Sequence, residues 1–446
     1  MVQHPDPKIN SSQESDTLND QVTFRSCSKV ATEFVFTNPN AGNSDIISYT
    51  IDWGDGSTAF TGSTWSMLKH TYNIGMTTLK YTVQGKNGCS VTKEYKIFVG
   101  TNPGGGIVNP GNTDICVNNE LSFPVFGIQN NPPGTIYTIT FNDGSNPIVY
   151  YDTPPSEIKH MFTKGSCGTD SYDGKNNYPN SFMAVMNIRN PCSSSETSSV
   201  VAPIYVSIPP EANFNANNST CVNTNFSLQN ISKAGYVVSN TGCVSGDTFV
   251  WTVSPMQGVT VVTGSLGDTL GLSEDHYNSW ISGSNDVTLK FSNPGSYTIK
   301  IKVVNRCGSN SMEKTICVEP VVSPVFSLNT QKGCAPLIVN VNNTTDTTQL
   351  CAAPTYTWSI SYKASNCGTK SSYTYIDKTS NKSKNPHITF NNPGTYTLKL
   401  SVATNCKTQT FSQDIIVTQP PIVSIDDIPD FCGSAEISPT ATIQTC

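Results

Sequence analysis

Few residues in this chain have chemistry to offer. Five histidines, His4, His70, His160, His276 and His387, could act as general bases or metal ligands. None belongs to a His-Glu-x-x-His helix, and no Gly-x-Ser-x-Gly elbow is present. No Gly-rich loop leads from a strand into a helix, which argues against nucleotide binding. His70 and His160 each stand at the start of a predicted strand, where a structural hydrogen-bonding role is expected. Asp52 and Asp55 could offer oxygens to Ca²⁺, which takes roughly 6–8 of them. An Asp in an Asp-Gly turn more often bonds its own backbone. The residues therefore predict no catalytic site, no metal site and no cofactor, with Ca²⁺ at this turn as the one alternative. Trp65 and Trp280 lie in loops, where an exposed ring could stack on a sugar or fold over the edge of a core. Trp53, Trp251 and Trp358 lie on predicted core strands.

Composition narrows the class further. Charged residues make up 13% of the 446, about half the usual share. Ser, Thr and Asn must cover much of the surface, which suits strands and turns better than helices. The net charge of −6 and the presence of only Arg25, Arg189 and Arg306 as arginines argue against nucleic acid as a partner. No apolar run approaches the ~18–20 residues that would span a bilayer. Fifteen cysteines without zinc-type spacing point to an oxidising compartment. Residues 1–20 are polar and carry no signal peptide, so Met1 is expected to begin an excised piece of a longer exported protein.

The element that must position these residues is a repeated strand. Asn293-Pro294-Gly295-Ser296-Tyr297-Thr298-Ile299-Lys300-Ile301-Lys302-Val303 leads to Cys307, and Asn392-Pro393-Gly394-Thr395-Tyr396-Thr397-Leu398-Lys399-Leu400-Ser401-Val402 leads to Cys406. Period-two alternation after a Pro-Gly turn predicts a strand with one buried face. Blurred copies run from Phe182 to Cys192 and from Thr77 to Cys89. The cysteines recur about every hundred residues, a period that predicts a row of similar β domains.

In chain order, residues 1–17 read as a mobile N-terminal segment. A first domain spans 18–100, with Ile51-Asp52-Trp53-Gly54-Asp55-Gly56-Ser57 and His70-Thr71-Tyr72. A Gly/Pro linker, 101–114, reads as the softest joint. The second domain, 115–208, repeats the turn at Phe141-Asn142-Asp143-Gly144 and the histidine at His160, and carries a long loop from Lys164 to Asn180. The third (209–319) and fourth (320–418) keep Trp251 and Trp358 but lack Asp-Gly. Residues 419–446 read as the start of a truncated fifth repeat.

These residues resemble the PKD (polycystic kidney disease repeat) family, whose hallmark is a Trp-Asp-Phe-Gly-Asp-Gly turn, then His-Thr-Tyr, then Pro-Gly-x-Tyr-x-Val-x-Leu. Asp52, Gly54, Asp55, Gly56 and His70-Thr71-Tyr72 match it, as do Phe141, Asp143, Gly144 and His160. Trp251, Trp358 and both Pro-Gly-x-Tyr strands match in the later repeats. Gly333-Cys334-Ala335-Pro336 with the late Asn405-Cys406 is similar to repeats in long secreted proteins of Bacteroidetes-type bacteria, including gliding-motility adhesins exported by the type IX system. The resemblance implies an all-β fold of tandem immunoglobulin-like (PKD-type) β-sandwiches in an elongated array. It implies spacing, adhesion or carbohydrate contact, and no active site. Asp16-Thr17-Leu18, Asp268-Thr269-Leu270 and Asp346-Thr347-Thr348 resemble O-glycosylation sites of such proteins.

Within each repeat the early and late cysteines are expected to pair: Cys27–Cys89, Cys116–Cys192, Cys221–Cys307 and Cys334–Cys406. Each bond would close a loop of roughly 60–90 residues, worth about 4–5 kcal/mol on chain entropy. Cys351–Cys367 is the remaining choice in the fourth domain, and Cys243–Cys317 an option in the third. Cys167 has no evident partner. Cys432 and Cys446 either lack theirs or pair together. Short proline-containing joins predict a stiff rod of sandwiches. The leading functional expectation is a non-catalytic structural and adhesive stalk segment of an extracellular, cell-surface protein. Its expected partners are surface glycans, other cell-surface proteins and neighbouring repeats, with no membrane insertion. The alternative is the accessory binding arm of a secreted hydrolase whose catalytic domain lies outside this piece.

Overall fold

The computed structural model describes residues 4–18, 21–193, 195–367, 370–430 and 432–445, with the side chains of all of these except 14–18 and 21–23. Among them no helix is long and apolar enough to cross a membrane; the helix that is present is the 3-10 segment Glu274–Ser279.

Alternation in the sequence becomes burial in the structure. Tyr396, Leu398, Leu400 and Val402 are wholly buried on one face of the strand Gly394–Ala403, while Lys399 is exposed on the other. Tyr297, Ile299, Ile301 and Val303, then Phe182, Ala184, Met186 and Ile188, then Leu79, Tyr81 and Val83 do the same in their strands. Each such Leu, Ile or Val contributes about 1.5–3 kcal/mol by leaving water. The four strands seed four separate cores.

The chain divides into two compact units. The first comprises Met1–Pro210, Ala234–Asp247 and Val304–Ser309; the second comprises Glu211–Lys233, Thr248–Val303 and Asn310–Cys446. The first unit holds two sandwiches. In one, Glu14–Leu18, Gln21–Ser26, Ser90–Val99, Gly75–Gly85, Ile46–Asp52 and Phe60–Gly62 form a sheet in that spatial order, opposed by Asn10–Ser11, Thr32–Thr37 and Met67–Tyr72. In the other, the order is Asp114–Cys116, Thr197–Ser207, Phe182–Arg189, Ile136–Phe141 and Ile148–Tyr150, opposed by Gly106–Ile107, Glu120–Phe126 and Glu157–Met161. The second unit holds the remaining two cores, built on Trp251 and Trp358. Two facing sheets, antiparallel but for one early strand, are the immunoglobulin-like arrangement. The chain is thus a tandem array of such sandwiches.

One pairing recurs and matters below. The short early strand of every sandwich runs parallel to the last strand and lies beside its end. Ser26 is opposite Val99, Cys116 opposite Ser207, Cys221 opposite Glu319 and Cys334 opposite Thr418.

Two expectations from the sequence need correction. Residues 1–17 are not a loose tail as a whole. Ile9 is buried in the first core, Tyr95 donates its hydroxyl to the Pro7 carbonyl at 2.7 Å, and Asn10–Ser11 pairs with Phe36–Thr37. Strand pairing and hydrogen bonds dock the segment together with the buried Ile9. The 101–114 segment is likewise no soft joint, because Gly106–Ile107 pairs with Val125–Phe126 and Ile107 is buried. Asn131 clamps Gly104 through both its backbone N–H and its carbonyl, each at 2.8 Å. At the far end of the chain, Ile422–Ile425 and Ala441–Gln444 form an exposed hairpin.

Candidate functional site

The early cysteine of a sandwich cannot reach the late one. In the second sandwich Cys116 sits beside Ser207, at the end of the last strand. Cys192 lies in the turn before Thr197, where that strand begins. Ten residues of strand at ~3.3 Å each separate the two levels by roughly 33 Å, whereas a disulfide needs Cα atoms within about 7 Å. The same holds for Cys221 and Cys307 around Gly308–Glu319, and for Cys334 and Cys406 around Thr408–Thr418.

The expected pairings Cys27–Cys89, Cys116–Cys192, Cys221–Cys307 and Cys334–Cys406 are therefore replaced. The early cysteine of one repeat is bonded to the late cysteine of the next: Cys27–Cys192, Cys116–Cys307 and Cys221–Cys406, with Cα separations of 5.6, 5.4 and 5.6 Å. Two more bonds, Cys167–Cys243 and Cys317–Cys351, reinforce the second and third of these junctions. They rule out Cys351–Cys367 and Cys243–Cys317; Cys367 is disulfide-bonded, but not to Cys351. Cys89, Cys334 and Cys432 are free. Cys446 lies outside the described residues, and Cys432, its suggested partner, is free.

Each junction is also hydrogen-bonded. Around Cys27–Cys192, Asn190 accepts from the Cys192 N–H at 2.9 Å and donates its amide to the Thr101 carbonyl at 2.8 Å. The Arg25 guanidinium donates to the Pro191 carbonyl. Around Cys116–Cys307, Asn305 repeats the device. It accepts from the Cys307 N–H at 2.8 Å and donates to the Ile208 carbonyl at 2.9 Å and to Asp247 at 3.2 Å. Arg306 pairs with Asp114 and donates to Ser207 at 2.6 Å. Burial raises the Asp247 carboxyl above its ordinary range, against the N–H of Gly235 and the amide of Asn305, which hold it down. Around Cys221–Cys406, the buried Glu319 carboxylate accepts from the Cys351 N–H at 3.0 Å and the Asn405 amide at 2.9 Å. These contacts are closed covalently and by hydrogen bonds, with Glu319 buried and Arg306 and Asp114 partly exposed.

Two of the five histidines, His70 and His160, are structural parts of the Asp-Gly turns; His387 pairs with Asp377 and His276 lies beside the Ser273 hydroxyl. His70 Nε2 meets Asp55 at 2.7 Å while its ring stacks on Trp53 at 4.3 Å. His160 meets Asp143 at 2.7 Å and stacks on Phe141 at 3.7 Å. Ser57 lies 3.4 Å from His70 Nε2 and also donates to Asp55. Hydroxyl and carboxylate thus share one ring nitrogen, whereas a proton relay needs one on each. Asp52 and Asp55 accept from the Gly54 and Ser57 N–H groups, both at 3.0 Å, as turn-forming aspartates do. Burial pushes the Asp55 carboxyl up, but bonds from Ser57 and His70 outweigh it and hold it at about 2. Asp143 is lowered by the equivalent partners against the same burial. Among the described residues, no group of three or more His, Cys, Asp or Glu could hold a metal ion.

Neither loop tryptophan offers a face to a sugar. Trp65 is 6% exposed and donates its indole N–H to the Tyr81 hydroxyl at 3.2 Å. Trp280 is 7% exposed, with Lys302 5.9 Å from its ring centre. Both fold back onto their own sandwiches because a large ring gains more from burial than a loop loses by closing over it. Of the residues that form the junctions, Asn190, Asn305 and Glu319 were not singled out by sequence, and Arg306 and Asn405 were noted for other reasons. A signal existed: Asn-x-Cys recurs at Asn87, Asn190 and Asn305, and marks Cys89, Cys192 and Cys307, though not Cys406, as turn residues rather than strand residues.

No family model matches the chain, and no curated protein does. Solved structures are similar in architecture. The N-terminal eight Ig domains of Down Syndrome Cell Adhesion Molecule align over 88% of this chain and 53% of that one, at 10% identity and TM-score 0.28. The Escherichia coli adhesin FdeC aligns over 77% and 92%, at 12% identity and TM-score 0.30. The titin I-band fragment I67–I69 aligns over 71% and 99%, at 11% identity and TM-score 0.27. At such identities and scores the likeness says nothing of ligand or partner.

Proposed function

We propose that this chain is a non-catalytic, load-bearing segment of a large exported cell-surface protein of the adhesin type. The PKD-like turns and the Gly-Cys-Ala-Pro repeat favour a gliding-motility adhesin exported by the type IX system. Contact with surface glycans or other surface proteins falls to parts of the protein other than the junctions. The observation that carries this reading is the pairing of each early cysteine with the late cysteine of the following repeat. Tension entering at one end passes from Cys27 to Cys192 and from Cys221 to Cys406 without loading most of the strands between.

Pulling single molecules by their two ends tests it. With disulfides intact, only roughly 100 residues lie on the shortest covalent path, so extension should stop near 350 Å at ~3.5 Å per residue. Reduction should lengthen it more than fourfold. Full extension of the oxidised chain would defeat the load-bearing reading.

A further inference from the structure

The sandwich built on Trp358 is charged differently from the rest of the chain. Between Phe326 and Thr418 stand eight lysines, no arginine and three carboxylates, a net +5 in a chain whose total is −6. All eight lysines are exposed. Among the described residues none of them is in an ion pair, whereas Lys69, Lys80, Lys159 and Lys233 elsewhere each face a glutamate. The three carboxylates are engaged otherwise. Asp346 accepts from the Thr348 hydroxyl at 2.7 Å, Asp377 meets His387 at 2.7 Å, and Asp414 accepts from the Thr397 hydroxyl at 2.6 Å. Beyond the sandwich, Asp426, Asp427, Asp430 and Glu436 are exposed and pair with none of these lysines.

Strand register gathers four of the lysines on one surface. Tyr396, Leu398 and Leu400 face the core, so Thr395, Thr397 and Lys399 face out. Lys332, Ile416, Thr395 and Lys363 form one row across the outer face, and Ser412, Lys399 and Ser359 form another. Lys382 reaches in from the adjoining turn and donates to the Thr357 hydroxyl at 2.7 Å. Strands ~4.8 Å apart put the Cα atoms of Lys332 and Lys363 about 14 Å apart, and ~3.3 Å per residue puts the levels of Thr357 and Lys363 about 20 Å apart. Between the ammonium groups stand Ser and Thr hydroxyls, with Asp414 as the carboxylate and Ile416 as the apolar chain. In the first sandwich Lys80, five residues after its strand-opening glycine as Lys399 is, has Glu94 across the sheet at 3.4 Å; Lys399 has Ser412 there.

Three features select an occupant. Unpaired positive charge on an open sheet face is complementary to an extended anion. Lysine without arginine lacks the planar fork that grips phosphate bidentately, which disfavours nucleic acid. Rows of hydroxyls both donate and accept, as sugar hydroxyls do, and a face with Ile416 as its apolar chain has no wedge to bury in lipid.

We propose that this face binds an acidic polysaccharide, a linear chain with carboxylates on its sugars, held by Lys332, Lys363, Lys382 and Lys399. The inference rests on the adhesive part of the reading above and gives it a partner. The load-bearing part is independent of it, so failure here would leave the pulling result untouched.

The test measures binding of the full chain to immobilised polygalacturonate, with its methyl ester, duplex DNA and phosphatidylglycerol vesicles as alternative surfaces. Binding to polygalacturonate is expected, weakening as salt rises and absent on the methyl ester. Lys332→Gln, Lys363→Gln, Lys382→Gln and Lys399→Gln together should weaken it roughly tenfold or more, each exposed charge contact contributing a factor of about two or more. Surface substitutions of this kind change stability little, so the loss reads on binding. Removing the same charge from paired lysines, by Lys69→Gln, Lys80→Gln, Lys159→Gln and Lys233→Gln, should leave binding as it is in the wild type. No binding to polygalacturonate, equal loss in the two fourfold variants, or binding as tight to DNA or to the vesicles would overturn the proposal.

Discussion

Cys116 lies directly across the sheet from Ser207, yet its sulfur is bonded to Cys307, 191 residues along the chain. The two facts have one cause. Parallel pairing of a short early strand with the last strand carries the early cysteine to the end where the chain leaves the sandwich. The hairpin turn before the last strand carries the late cysteine to the opposite end. A bond inside one sandwich is geometrically closed, and a bond to the following repeat is open.

Asn305 is the hinge pin of the junction around Cys116–Cys307. Asn305→Ala would leave the Ile208 carbonyl and the half-buried Asp247 carboxylate without their amide donor. A loss of about 1–3 kcal/mol is expected. Hydrogen exchange should quicken across residues 234–247, while the strand Gly394–Ala403 keeps its protection. Unchanged exchange at Gly235 and its neighbours would show that the disulfide alone holds the junction.

The Asp55–His70 pair makes the first sandwich acid-sensitive. The folded Asp55 carboxyl sits at about 2, below the unfolded value of about 3.9. A depressed carboxyl stabilises the fold fully above its unfolded value, and that contribution fades as pH falls toward 2. Denaturant titrations at pH 5 and pH 2.5 should show a larger drop for the wild type than for Asp55→Asn. Equal drops would remove Asp55 from the account.

Gly394 opens the strand of the fourth core at φ +151°, and a Cβ there would come within 2.3 Å of the Tyr362 ring. Gly394→Ala should cost about 1–3 kcal/mol in strain and lower the melting of that sandwich alone. Calorimetry that resolves the four cores would detect this; an unshifted transition would mean Tyr362 moves aside freely.

How much of this was legible is clear from particular residues. The buried faces at Tyr396–Val402 and Tyr297–Val303 follow from alternation, which is a local property. A structural hydrogen-bonding role for His70 and His160 was read from the sequence, but their partners Asp55 and Asp143 were not. The disulfide partners depended on which strand lies beside which, and on whether an early three-residue segment pairs parallel or antiparallel. Periodicity carries no such information. For Trp65 and Trp280 the sequence left stacking on a sugar and folding over a core both open; which one holds depends on what lies beneath the loop, which composition does not encode.

The account stands on the junction bonds, and peptide mapping of the unreduced chain tests them most directly. Proteolysis without reductant, followed by mass spectrometry, should recover Cys27 linked to Cys192, Cys116 to Cys307 and Cys221 to Cys406. Recovery of Cys116 linked to Cys192, or of Cys221 linked to Cys307, would contradict it.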